Sequence, residues 1–91
     1  MLRDTLTKDR AETIALQALA YLASEPDKIE RFLAASGLEI ADLRDKAGDP
    51  DLLCSVLAFT LADDARVTGV CQELNVTARD LHAANHVLGQ P

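Results

Sequence analysis

The run from Asp49 to Ala62 leaves this chain few ways to fold. An acid and a proline open it, as a capping carboxylate and a first-turn proline open a helix. Leu52, Leu53, Val56, Leu57, Phe59 and Leu61 follow, and they point to nearly every side of that helix. A helix without a polar face must be covered on most sides. The pattern therefore predicts a helix over residues 50–62 at the centre of an all-α bundle, with the other segments wrapped about it.

Those other segments carry clear helix signals. Thr7 can cap a first helix from about Lys8 to Ser24, with Ala11, Ile14, Ala15, Ala18, Leu19 and Leu22 on one face. Ser24-Glu25-Pro26-Asp27 breaks and restarts the chain. A second helix runs to about Ser36, with Ile29, Phe32 and Leu33 inward, and Gly37 ends it in a left-handed cap. A short third helix is expected from Glu39 to Ala47, stopped by Gly48. Asp63-Asp64 opens a fifth, with Val67, Val70, Cys71 and Leu74 inward and Asn75 as its left-handed cap. Thr77 caps a sixth from Ala78 to Leu88, with Asp80 three residues on in a capping-box arrangement, and Gly89 terminates it. No stretch alternates as a strand does. The expectation is a compact bundle of five to six short helices, one domain over residues 1–91, with residues 1–6 frayed.

Two segments run in parallel. Gly37-Leu38-Glu39-Ile40-Ala41-Asp42-Leu43 matches Asn75-Val76-Thr77-Ala78-Arg79-Asp80-Leu81, and Leu22-Ala23 upstream matches Leu61-Ala62. The chain can be read as two copies of a long, a middle and a short helix. The alternative is that short helices with similar caps resemble one another by chance.

Size and charge narrow the function. A chain of 91 residues has a thin core, and Tyr21, Phe32 and Phe59 are its only aromatics. Leu, Ile, Val and Ala must fill the core, which leaves little room for an enclosed ligand pocket. The net charge of −6 argues against nucleic acid and against an anionic membrane surface, and it suits a soluble protein with a protein partner. The residues after Met1 are mixed and polar, so no signal peptide is expected. The most apolar stretches are about half the ~20 residues a membrane span needs. Cys54 and Cys71 then read as reduced, buried thiols in a cytoplasmic protein, with a disulfide between them the lesser alternative.

The sharpest local pattern is Val70 to Leu81, which has the residue types of a helix-turn-helix corner within residues 70–86. On that reading Arg79, His82 and His86 face a nucleic-acid groove. Any tight helical corner needs the same types, however, and Asn75 stands where DNA-binding versions favour Gly. His82 and His86 also have the spacing of a metal-chelating pair, but a structural zinc needs four ligands and the cysteines lack close spacing. Asp42, Asp45, Asp49 and Asp51 do not follow a calcium-loop pattern and read as caps and a solvated face. No nucleophile elbow, phosphate loop or zinc-protease helix occurs, and Ser24, Ser36 and Ser55 have no evident base. No catalytic residue, metal or cofactor is expected.

The combination of Ala18-Leu19-Ala20-Tyr21-Leu22-Ala23, Pro26, Arg31-Phe32-Leu33, Ser36-Gly37-Leu38, Leu43-Arg44, Asp49-Pro50, Val56-Leu57-Ala58-Phe59 and Asp63-Asp64 resembles a family of short bacterial proteins classed only as a domain of unknown function. The resemblance spans about Asp9 to Gly89 and is most specific from Arg31 to Phe59. It implies a compact all-helical domain encoded as one small protein, and it carries over no site residue. Three classes of function remain. The first is a non-enzymatic protein-protein interaction module, which includes self-association as a homodimer through an uncovered apolar face of the first or fourth helix. The second is a DNA-binding or transcription-accessory protein. The third is a small ligand-binding protein or enzyme.

Overall fold

Six cap signals divide the chain into six helices, and a computed structural model places them at α1 Lys8–Ala23, α2 Pro26–Ser36, α3 Ile40–Asp45, α4 Pro50–Leu61, α5 Asp64–Leu74 and α6 Ala78–Leu88. The structure describes residues 7–89, so the expectation for residues 1–6 lies outside the described residues. No strand occurs among the described residues. The Cα radius of gyration of 12.4 Å is that of a folded domain of this length, for which about 12 Å is expected.

The caps are those the residue types dictate. Thr7 Oγ1 accepts from the Arg10 N–H at 3.1 Å. Asp49 Oδ1 accepts from Asp51 N–H, and Asp63 Oδ1 accepts from Ala65 and Arg66 N–H. Thr77 and Asp80 form the reciprocal box, each side chain accepting from the other's backbone N–H. Gly37 at φ 76° and Asn75 at φ 56° take the left-handed conformation. Gly89 ends α6 with right-handed dihedrals, at φ −80°.

Two differences from expectation matter. The third helix is shorter than the predicted 39–47, and none of its residues is buried. It stops at Asp45 because the chain must turn through Lys46–Asp49 to enter α4, and the Asp49 N–H donates to the Lys46 carbonyl in that turn. The centre of the bundle, in turn, is not α4 alone. α1, α4 and α6 pack on one another, with α2 and α5 on the flanks of the α1–α4 pair. Ala11, Ile14, Ala15, Ala18 and Leu22 of α1 are as buried as Leu52, Leu53, Val56 and Leu57 of α4. On α4 the strip Asp51, Ser55 and Ala58 is open to solvent, so the predicted cover on most sides is incomplete.

The parallel between the two halves extends through the structure at a constant shift of 38 positions, which takes Gly37 onto Asn75. It takes α2 onto α5, both 11 residues long. It takes buried Ile14, Ala15, Ala18 and Leu22 of α1 onto buried Leu52, Leu53, Val56 and Thr60 of α4, and Phe32 onto Val70. The match expected between Leu22-Ala23 and Leu61-Ala62 is out of this register by one residue. Burial pairs Leu22 with Thr60, whose hydroxyl is satisfied by donating to the Val56 carbonyl at 3.0 Å.

Candidate functional site

The helix-turn-helix-like corner exists as a tight turn. Asn75 and Val76 both donate their N–H to the Cys71 carbonyl, which closes α5, and buried Val76 seats the turn on the core. Arg79, His82 and His86 all fall on the exposed side of α6, away from buried Leu81, Ala84 and Leu88. Among the described residues no group of three His, Cys, Asp or Glu side chains stands close enough to hold a metal ion.

The cysteines are free thiols, and both are half-buried rather than buried. Both pack against the margin of the core instead of inside it. Cys54 donates to Asn85 Oδ1 at 3.2 Å, a bond that ties α4 to α6. Burial pushes the Cys71 thiol above its ordinary value, and the nearby negative charge of Asp80 adds to the rise. A thiol held protonated in this way is a poor nucleophile at neutral pH. The hydroxyls of Ser24, Ser36 and Ser55 all donate to backbone carbonyls of their own helices, those of Tyr21, Leu33 and Asp51.

What the sequence did not mark as a site is a groove. It runs between α4 and the α2–α3 segment, with a volume of about 580 Å³. Phe32, Ala35, Leu38, Leu52, Ala58 and Phe59 supply its apolar lining. Asp42, Asp49 and Asp51 stand on its rim against Lys46 as the rim's one cation. The lower end of the groove lies where α3 stops at Asp45 and the chain turns through Lys46–Asp49. One signal was present in the sequence: Asp51, Ser55 and Ala58 interrupt the apolar pattern of α4 at helical spacing, and that strip forms one wall.

A second, smaller groove of about 460 Å³ lies between α1 and α5. Its residues Gln17, Ala20, Tyr21 and Ser24 correspond, 38 positions on, to Ser55, Ala58, Phe59 and Ala62 of the first groove. Glu73 and Leu74 correspond likewise to Ala35 and Ser36. Between the grooves, two aromatic rings carry a cation each. Lys28 Nζ lies 5.4 Å from the centre of the Tyr21 ring, and the Arg66 guanidinium lies 3.8 Å from that of Phe59. These pairs are also related by the 38-residue shift. The Arg66 guanidinium in addition donates to the Phe59 carbonyl at 3.0 Å, where α4 is ending.

No helix among the described residues is long and apolar enough to cross a membrane. No curated protein and no solved structure matches the chain. A compact all-helical domain is what the resemblance implied, and over residues 8–91 the chain matches, and belongs to, the family described as protein of unknown function DUF3572.

Proposed function

We propose that this protein is a non-enzymatic, cytoplasmic protein-interaction module whose docking face is the groove between α4 and α2–α3. The observation that carries the reading is the open apolar floor of that groove, formed by Phe32, Ala35, Leu38, Leu52 and Phe59 beside the exposed strip Asp51, Ser55 and Ala58 of α4. Exposed apolar surface costs about 25 cal/mol for each Å2 kept in water, so a groove left open in a thin-cored domain is suited to being covered by a partner. The reactive groups have structural uses: the thiols and serine hydroxyls donate hydrogen bonds or pack at the margin of the core. A nucleic-acid role has less support, because the outward stripe of α6 offers Arg79 and two histidines in a chain of net charge −6.

Affinity capture from native lysate tests the reading when a blocked groove is compared with its related control. Ser55→Trp fills the α4 groove from the wall it shares with the neighbouring α4–α6 groove, Ala35→Trp fills the α4 groove alone, and Gln17→Trp places the ring at the position of α1 that corresponds to Ser55. A partner retained by the wild type and by Gln17→Trp, and lost from both Ser55→Trp and Ala35→Trp, is the expected result. Loss from Ser55→Trp alone, or equal retention by all four proteins, overturns the reading.

A further inference from the structure

We infer that the occupant of the groove is an amphipathic helix of a partner protein with a basic flank. The inference rests on the groove being a docking face, and it adds what docks there. The chain consists of two structural units, α1–α2–α3 and α4–α5–α6, related position by position at a shift of 38 residues. Burial of Ile14, Ala15, Ala18, Leu22 and Phe32, the left-handed caps, the aromatic–cation pairs and the upper walls of two grooves keep that register. The units differ in their third helix. α6 has 11 residues and packs along α1, while α3 has 6 and leaves α4 open.

The lower part of the groove shows the consequence. Half-buried Leu38 and exposed Lys46 correspond to Val76 and Ala84, which are buried against the bundle. In the second unit α6, with Leu81, Ala84 and Leu88 at helical spacing on its inner face, closes the lower end of the matching groove, whose upper end stays open between α1 and α5. In the first unit the lower end stays open as well.

Helical walls have no free backbone edge, so an extended peptide finds no ladder to join. An occupant must satisfy its own backbone, and a helix laid in the groove does so. Its charge follows from the rim. Asp42, Asp49 and Asp51 against Lys46 favour lysine or arginine beside the apolar stripe. The same acids disfavour a second copy of this chain, whose net charge is −6.

Fluorescence anisotropy on the full-length protein tests the inference with three labelled synthetic helical peptides of equal length. The first combines a Leu-x-x-Ala-x-x-x-Leu stripe with lysine flanks, the second has the same stripe with glutamate flanks, and the third is a scrambled form of the first. Saturable binding of the first, about tenfold or more tighter than the second and third, is expected, with loss in Ser55→Trp and Ala35→Trp and retention in Gln17→Trp. Equal binding of the lysine and glutamate peptides, still lost in Ser55→Trp and Ala35→Trp, overturns the charge assignment and leaves the docking face standing. Lysine-peptide binding that survives scrambling, Ser55→Trp or Ala35→Trp is unspecific attraction and overturns the inference. If no peptide binds while Ser55→Trp and Ala35→Trp still lose the captured partner, the helical occupant is wrong and the docking face is right. If no peptide binds and capture is equal in all variants, or lost from Ser55→Trp alone, both fail.

Discussion

At the scale of single residues, the chain places its unusual conformations where a particular side chain tolerates them. Asn75 holds φ 56° and ψ 46° at the end of α5, a region that costs an ordinary L-residue about 1–2 kcal/mol and asparagine less. Its counterpart at the end of α2 is glycine, at φ 76°. Asn75→Ala is therefore expected to lower the unfolding free energy by about 1 kcal/mol, and Asn75→Gly to leave it unchanged within about 0.5 kcal/mol. Urea titration of both variants checks this, and equal losses would show that the asparagine side chain, not the backbone angle, is what the turn needs. These residues were legible in the sequence because a cap is a local object: Thr7, Gly37, Asp49, Asn75 and Thr77 act within one turn of where they stand. The exposure of the cysteines was not legible, for the opposite reason. Apolar spacing puts Cys54 and Cys71 on inward faces, but only the packing of neighbouring helices decides that both lie half-covered at the margin of the core.

At the scale of helices, sequence pattern says which face is apolar and not whether a neighbour is long enough to cover it. The apolar pattern of α4 was legible, and so was the helix itself. The strip Asp51, Ser55 and Ala58 was marked by the break in that pattern, but the groove beside it was not, because its lower end depends on the early stop of α3 and the turn that follows. The same early stop governs stability along the chain. With six residues and none buried, α3 has little tertiary packing to hold it, and helices this short are unstable alone. α1, α4 and α6 share the core and should open only with global unfolding. Native-state hydrogen exchange is expected to show protection in α3 at least about 100-fold below that of Leu53 to Leu57 in α4. Equal protection would mean that α3 is held by the core, and that the groove is narrower in solution than the structure places it.

At the scale of the whole molecule, the balance of charge sets how stability responds to salt. Each helix has an acid in its first turn: Asp9, Asp27, Asp42, Asp51, Asp64 and Asp80. These acids interact favourably with the helix N-termini, by about 0.3–1 kcal/mol each at low ionic strength. They also repel one another across a molecule whose net charge is −6. Spread over a sphere of radius about 15 Å in water, that charge has a self-energy of about 5 kcal/mol, and in the expanded unfolded chain about half as much. Folding without salt thus works against about 2 kcal/mol of repulsion. Salt acts first on the longer distances. At about 0.15 M the Debye length is near 8 Å, which damps repulsion between carboxylates on different helices. The capping contacts, at 2.8–3.2 Å, lie well inside that length. The repulsion is removed before the caps weaken, so raising sodium chloride from about 10 mM to about 150 mM is expected to raise the midpoint of thermal unfolding by a few degrees. Calorimetry across that range, repeated with sodium perchlorate to separate screening from ion-specific effects, checks the sign. A midpoint that falls with both salts would mean that local helix-end attraction outweighs the repulsion of the acidic surface, and the case for a basic partner on the groove would lose its electrostatic support.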